Sequence, residues 1–121
     1  MAKKILVVDD EPDILKIVTF RLKKEGYEVL TAVNGQKALD LVNSQRPDLI
    51  LLDLRLPVVD GYEVCKRVKT DEGLRQIPVI LITASSAGKI AEKTKEFRAD
   101  DYLIKPFEPE ELLDKVKKFI K

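Results

Sequence analysis

Short apolar runs alternate along the chain with longer segments in which apolar residues recur every three or four positions. The short runs are typical of strands buried on both faces, and the longer segments have the period of amphipathic helices. Strands and helices that alternate with short loops form parallel β-α-β units with right-handed crossovers. The pattern therefore predicts a doubly wound α/β domain with five helices and with strands at 5–8, 28–32, 49–52, 79–82 and 102–104.

Capping signals predict where the helices begin and end. Pro12 suits the first position of a helix that Gly26 ends, because the missing N–H of proline is harmless there and glycine tolerates the conformation beyond a helix end. The second helix follows Asn34-Gly35, and the third begins near Gly61. The fourth spans 88–97, and the fifth follows Pro109. The apolar face of the fourth is only Ile90, Ala91 and Phe97. A stripe this weak predicts a mobile helix.

Composition narrows the class of protein. A chain of 121 residues that are 45% hydrophobic has room for one core, so we expect one domain over residues 1–121. Lys and Arg number 22 and Asp and Glu number 21, a balance that favours neither a nucleic acid nor an anionic membrane as a partner. The basic start is followed by only four apolar residues, too few for a signal sequence or a membrane span. We therefore expect a cytoplasmic protein.

Cysteine and histidine usage excludes several kinds of site. The single Cys65 cannot form an internal disulfide or a thiolate metal cluster, and its helical spacing from Val68 predicts a buried side chain. The chain has no histidine, which excludes histidine-ligated zinc and every Ser-His or Cys-His mechanism.

One buried strand leads directly into an acid. The stretch 49–57 predicts a strand that ends at Asp53, shortly before Pro57 stops it. Open α/β sheets bind ligands at the edge formed by the carboxyl ends of their strands. On this stretch alone, Asp53 fits either a chemical role or a solvated turn.

Polar residues follow other strands as well. Asp9 and Asp10 follow the first strand, Thr83 follows the fourth, and Lys105 follows the fifth. Three carboxylates about 5 Å apart repel one another by roughly 3 kcal/mol per pair at an effective dielectric constant of about 20, so the group needs a cation. Mg²⁺ prefers such oxygen ligands, and Lys105 adds a fixed charge. A purely structural cluster of Asp-Lys ion pairs is the alternative.

These strand ends carry a resemblance over almost the whole chain. The chain resembles the receiver domains of two-component response regulators in five motifs: Val8-Asp9-Asp10-Glu11, Asp53-Leu54-Arg55-Leu56-Pro57, Asp60-Gly61, Thr83-Ala84, and Asp101-Tyr102-Leu103-Ile104-Lys105-Pro106-Phe107. The resemblance implies a flavodoxin-like sheet of strand order 2-1-3-4-5. It also implies a signalling switch rather than an enzyme.

The resemblance assigns a role to each strand-end residue. It implies that Asp53 accepts a phosphoryl group from a phosphohistidine on a sensor histidine kinase or a phosphotransfer protein. Mg²⁺ would be bound directly by Asp10 and Asp53, through water by Asp9, and by the backbone carbonyl of Arg55. Phosphoryl transfer requires mainly positioning and charge neutralisation, which a metal, a lysine and a hydroxyl can supply.

Further implied roles concern the response to phosphorylation. Thr83 and Lys105 would contact the phosphoryl oxygens, and Tyr102 would be an aromatic switch that follows Thr83. The Lys105-Pro106 peptide would be cis. The surface of helix four, strand five and helix five would then bind a downstream effector protein.

Three residues lie at positions where the family is variable or where this chain departs from the family pattern. Arg55 and Ser85, each two positions after a key residue, are expected to influence the lifetime of the phosphoryl group. Arg98 stands where many relatives have glycine, which leaves open a different turn into the last strand. The chain ends soon after the fifth helix, so we expect either a stand-alone receiver or one from a longer regulator.

Three other functions compete with this interpretation. A haloacid-dehalogenase-type phosphatase would need a second acid where Arg55 stands, as well as a cap domain. A flavodoxin-like cofactor module would need a Gly-rich loop where the chain has Asp9-Asp10-Glu11-Pro12. The third is an interaction module that acts without phosphorylation, and the intact set of acids, Thr83 and Lys105 argue against it.

Overall fold

The strands and helices alternate strictly along the chain. The computed structural model describes residues 2–84 and 86–120. Within them lie the strands Lys4–Val8 (β1), Glu28–Ala32 (β2), Leu49–Asp53 (β3), Val79–Thr83 (β4) and Asp101–Ile104 (β5). The helices are Pro12–Lys24 (α1), Gly35–Gln45 (α2), Gly61–Thr70 (α3), Ala87–Glu96 (α4) and Pro109–Phe119 (α5). The predicted elements are all present, and their bounds differ from the prediction by one residue at several ends.

The strands form one parallel sheet in the order β2-β1-β3-β4-β5, which confirms the predicted fold class. Two strands run one residue further than their apolar runs, because pairing continues through the polar residue that follows. Asp53 pairs with Ile82, and Thr83 pairs with Ile104. The polar residues are therefore fixed by the sheet itself rather than by a loop.

Alternate residues of each central strand enter two separate cores. Leu6, Ile50 and Leu81 pack beneath α2, α3 and α4, whereas Val7, Leu51 and Ile80 pack beneath α1 and α5. This alternation is the two-residue period of a strand covered on both faces. No helix in the described ranges is both long and apolar enough to cross a membrane.

Cys65 lies in the core beneath α2, α3 and α4, as predicted. It is fully buried, and its Sγ donates to the carbonyl of Phe97 at 3.5 Å. Burial raises the pKa of the thiol to about 11. The thiol is thus a core group and is not activated as a nucleophile.

Gly26 and Arg98, just beyond the ends of α1 and α4, have positive φ. Gly26 has a φ of 94° and ends the first helix, as predicted. Arg98 has a φ of 59° just beyond α4, and the N–H of Ala99 bonds back to the carbonyl of Thr94 at 3.0 Å. This is the helix ending that glycine usually makes. Arg98 therefore keeps that turn in a strained conformation, and the different turn that the sequence left open does not form.

Candidate active site at the carboxyl edge of the sheet

The sheet order places the ends of four strands side by side. β1, β3, β4 and β5 are consecutive neighbours, and the residues after them meet at one edge. An open cavity of about 310 Å³ lies there, lined by Asp10, Glu11, Asp53, Arg55, Thr83, Ala84 and Lys105. The structure thus brings together strand-end residues that are up to 96 positions apart in sequence.

The first strand contributes a run of three acids. Asp9 is buried, and its Oδ1 accepts the N–H of Glu11 at 2.9 Å. Asp10 and Glu11 are exposed, and Glu11 occupies the N-cap position of α1 without a capping bond from its side chain. The short bond within the run orients Asp9 towards the neighbouring strands while Asp10 faces the cavity.

Asp53 is held at both of its carboxylate oxygens. Its Oδ1 accepts the backbone N–H of Arg55 at 2.9 Å, and its Oδ2 accepts the ammonium of Lys105 at 3.0 Å. The side chain is only 6% exposed. The carboxylate is therefore fixed in orientation, with the open side of the cavity in front of it.

The loop after Asp53 is packed tightly against two glycines. A Cβ on Gly61 would overlap the carbonyl oxygen of Asp53, and a Cβ on Gly35 would overlap that of Val59. Between them, Val58 has a φ of 71°, and the N–H of Val59 bonds to the carbonyl of Pro57 at 2.9 Å. This is a γ-turn of the strained kind, with positive φ at its centre.

Lys105 forms ion pairs with three acids of the site. Its Nζ lies 2.9 Å from Asp9, 3.0 Å from Glu11 and 3.0 Å from Asp53. Burial alone would lower the pKa of Lys105, but the bonds to these carboxylates outweigh it and raise the pKa above its ordinary value. Lys105 is therefore charged at every physiological pH.

Burial and the nearby charge of Asp53 raise the pKa of Asp9, against the opposing effect of its bonds to the Glu11 N–H and to Lys105.

The site as a whole remains acid-rich. Carboxylate oxygens of Asp9, Asp10, Glu11 and Asp53 all lie within 4.8 Å of one another, facing the single ammonium of Lys105. Hard oxygen donors in this number fit a divalent cation such as Mg²⁺.

The remaining predicted residues lie around this centre. The side chain of Thr83 is buried and lines the cavity, and its carbonyl accepts the N–H of Lys105 at 2.7 Å. Tyr102 is half-buried on β5, with the ammonium of Lys115 5.0 Å from its ring centre. The Lys105-Pro106 peptide is cis, as the resemblance implied. Ser85 lies outside the described residues.

Glu11 was not predicted to take part in the site. The structure places its Oε1 3.0 Å from Lys105 Nζ. The available signal was its position, third in a run of acids and directly before the proline that starts α1. An N-cap residue at that place has its side chain close to the strand ends.

Fold and site together define a doubly wound α/β domain with an acidic cluster at its strand ends. Comparisons with known proteins agree with this class. Residues 5–117 match the family model of the response regulator receiver domain. The chain is also 45% identical over 120 residues to the DNA-binding dual master transcriptional regulator RpaA of Synechocystis sp., covering 98% of this chain and 49% of RpaA.

Solved structures give the same result. The Vibrio cholerae chemotaxis protein CheY4 superposes with a TM-score of 0.92 at 32% identity, covering 99% of this chain and 100% of that protein. The receiver domain of the Pseudomonas aeruginosa sensor histidine kinase PA1611, which has magnesium in its active-site cleft, gives 0.90 at 33% identity and covers 99% and 98%.

The chain belongs to the response regulator receiver domain family. It is a phosphoacceptor domain of two-component signalling, and receiver domains of this family bind Mg²⁺ and work with histidine kinases. This assignment replaces the phosphatase and flavodoxin-like alternatives. The chain spans about half the length of RpaA, so the DNA binding named for that regulator describes the longer protein.

Proposed function

We propose that Asp53 is the phosphoryl acceptor and takes its phosphoryl group from a phosphohistidine of a sensor histidine kinase or phosphotransfer protein. The observation that carries the proposal is the geometry of Asp53, which is buried, bonded to Lys105 at 3.0 Å and oriented into an open cavity. A carboxylate fixed in this way needs little rearrangement to attack a phosphorus atom.

The transfer forms one bond and breaks one. A carboxylate oxygen of Asp53 bonds to phosphorus, and the P–N bond breaks with its electron pair going to the imidazole nitrogen, which then takes up a proton. The negative charge on the transferred oxygens is neutralised by Lys105, which is already in contact with the acceptor. The resulting acyl phosphate is open to hydrolysis, so the signal is temporary.

As part of the same proposal, Mg²⁺ is held by Asp10 and Asp53, by Asp9 through water, and by the backbone carbonyl of Arg55. The clustering of the carboxylate oxygens within 4.8 Å supports the three acidic members of this ligand set. Bound there, the ion would neutralise charge on the phosphoryl oxygens during transfer. Thr83, which lines the same cavity, would donate its hydroxyl to one of those oxygens.

The output is proposed to pass from Thr83 to Tyr102. Thr83 pairs with Ile104 on the adjacent strand, two residues beyond Tyr102. A phosphoryl group carries nearly two negative charges at neutral pH and would draw the hydroxyl towards it, which changes the space beside Tyr102. A rotation of Tyr102 would then alter the surface of α4, β5 and α5, where a downstream effector protein would bind.

Intact mass measurement tests the acceptor. The protein is incubated with acetyl phosphate, with and without Mg²⁺, beside Asp53→Asn and Asp60→Asn. Asp60→Asn makes the same chemical change in the same loop, and asparagine caps α3 about as well as aspartate. We expect a Mg²⁺-dependent gain of one phosphoryl group in the wild type and Asp60→Asn but not in Asp53→Asn. A gain that persists in Asp53→Asn would contradict the assignment.

A further inference from the structure

Lys105 has no spare donor in this structure. A lysine ammonium has three N–H groups and no acceptor. Its contacts with Asp9, Glu11 and Asp53 give each N–H a carboxylate partner, at 2.9, 3.0 and 3.0 Å. If Lys105 is to contact a phosphoryl oxygen, one of these bonds has to be given up.

The three partners differ in how firmly they are held. The side chains of Asp9 and Asp53 are 2% and 6% exposed, and each also accepts a backbone N–H at 2.9 Å. The side chain of Glu11 is 59% exposed. Water can replace the ammonium around an exposed carboxylate at little cost, whereas a buried carboxylate that loses the ammonium keeps much less compensation for its charge.

The backbone of Glu11 is fixed although its carboxylate is not. Its N–H is bonded to Asp9, and its carbonyl accepts the N–H of Leu15 in the first turn of α1. The side chain therefore always starts from the same place beside the cavity, and only its outer atoms need to move when Lys105 leaves.

We infer that Glu11 is a positioning residue that holds Lys105 in the unphosphorylated arrangement and is exchanged for a phosphoryl oxygen when Asp53 is loaded. The inference rests on the proposed role of Asp53. Glu11 stabilises only the unloaded state, so it slows loading. It leaves the decay of the loaded state unchanged, because Glu11 no longer contacts Lys105 there.

Three variants separate contact from charge. Glu11→Gln removes the charge and keeps the length of the side chain. Glu11→Asp keeps the charge but is one methylene shorter, too short for the bond to Lys105. Asp13→Asn removes a charge from the first turn of the same helix, and the ion pairs of Lys105 within the described ranges do not include Asp13. Thermal unfolding of each variant verifies that the fold is intact.

Loading by acetyl phosphate at saturating Mg²⁺ and decay after donor removal are followed by intact mass. We expect Glu11→Gln and Glu11→Asp to load about two- to five-fold faster than the wild type, the range that an exposed ion pair allows. Their decay rates and the loading rate of Asp13→Asn should match the wild type. A merely structural role for Glu11 would slow loading instead.

Several results would overturn the inference. Equal acceleration by Glu11→Gln and Asp13→Asn, with Glu11→Asp unchanged, would show that only overall charge matters. Unchanged or slower loading of both Glu11 variants would show that the contact has no kinetic role. Decay accelerated as much as loading would show that Glu11 acts on the loaded state as well. A wild type that does not load on Asp53 would instead remove the proposed function itself.

Discussion

Lys105 contacts side chains that come from two other strand ends and from the start of a helix. It bonds to Asp9 after β1, to Asp53 at the end of β3 and to Glu11 before α1. At the level of single residues, the site is an excess of carboxylates around one ammonium. Lys105 offsets only part of the negative charge of the two buried acids, and it makes no ion pair with the exposed Asp10.

Asp10→Asn tests this balance of charge. Removing one exposed charge from the cluster should raise the free energy of unfolding by about 1 kcal/mol in metal-free, low-salt buffer, after allowance for solvent screening. The same change should remove most of the stabilisation by Mg²⁺, which for a single site is about 1.4 kcal/mol at ten times the Kd. Urea unfolding with EDTA or with Mg²⁺ measures both effects.

Asp114→Asn on α5 is the matched control, since it makes the same change away from the site. It should alter neither quantity. A destabilised Asp10→Asn that still gains stability from Mg²⁺ would be incompatible with a role for Asp10 in the cluster.

Arg98→Gly tests the strained turn after α4. Arg98 has a φ of 59°, which costs a non-glycine residue about 1–2 kcal/mol. Glycine relieves this strain but increases the conformational entropy of the unfolded chain, which offsets part of the gain in stability. We expect the free energy of unfolding to rise by about 0.5–1 kcal/mol. Arg46→Gly is the comparison, because Arg46 has a φ of 44° but also donates to the carbonyl of Gly73 at 2.9 Å. Its gain should be smaller, and a loss of stability in Arg98→Gly would refute the strain.

At the level of elements, the site depends on how closely loops approach the strand ends. Gly61 begins α3 directly against the carbonyl of Asp53, so the helix and the proposed acceptor are in contact through backbone atoms. α4 has no such constraint at Gly88, where a Cβ would meet open space. A side chain at position 61 would therefore clash with the backbone of β3, whereas one at position 88 would have room.

Gly61→Ala and Gly88→Ala should shift stability in opposite directions. The first forces a methyl group into the backbone of Asp53 and Leu54, and should lower the free energy of unfolding by about 2 kcal/mol. The second replaces a helical glycine in open space, and should raise it by about 0.5 kcal/mol. Urea unfolding of both variants tests the pair, and equal changes would show that the approach at Gly61 is not tight.

β5 is tied to α5 by Asp101. Burial opposes ionisation of Asp101, but bonds to Lys115 at 2.8 Å and to the Tyr102 N–H at 2.8 Å outweigh it and lower the pKa below the ordinary value of 3.8. A lowered folded pKa means stability that is present above pH 3.8 and is lost as the pH falls through the folded value.

Asp101→Asn should therefore cost about 1 kcal/mol at pH 7, with a deficit that shrinks as the pH falls below 3.8. Glu63→Gln breaks an exposed pair with Arg67 and should change little at any pH. A deficit for Asp101→Asn that stays constant down to low pH would show that the ionised carboxylate contributes nothing.

At the level of the whole molecule, the sequence predicted the elements better than their arrangement. Apolar runs reveal strands because burial on both faces leaves no polar positions, and strand ends such as Asp53 and Thr83 could then be aligned. The strand order came from a resemblance, since pairing between distant segments leaves no local signal. The observed sheet confirms the strand order that the resemblance implied.

Parts of the site could not be predicted for the same reason. The bond between Glu11 and Lys105 spans 94 residues and depends on where α1 starts relative to β5. The identity of Arg98 does not predict its left-handed turn. Only the surrounding helix and strand hold the arginine in this conformation, which it disfavours.

The most direct test of the account is to locate the phosphoryl group. The protein is incubated with acetyl phosphate and Mg²⁺, the acyl phosphate is reduced with borohydride, which converts a phosphorylated aspartate to homoserine, and the digested chain is sequenced by mass spectrometry. We predict homoserine at position 53 in the treated sample and not in a sample without donor. Homoserine at position 9 or 10, or a phosphoryl group on Thr83, would contradict the assignment of Asp53 as the acceptor.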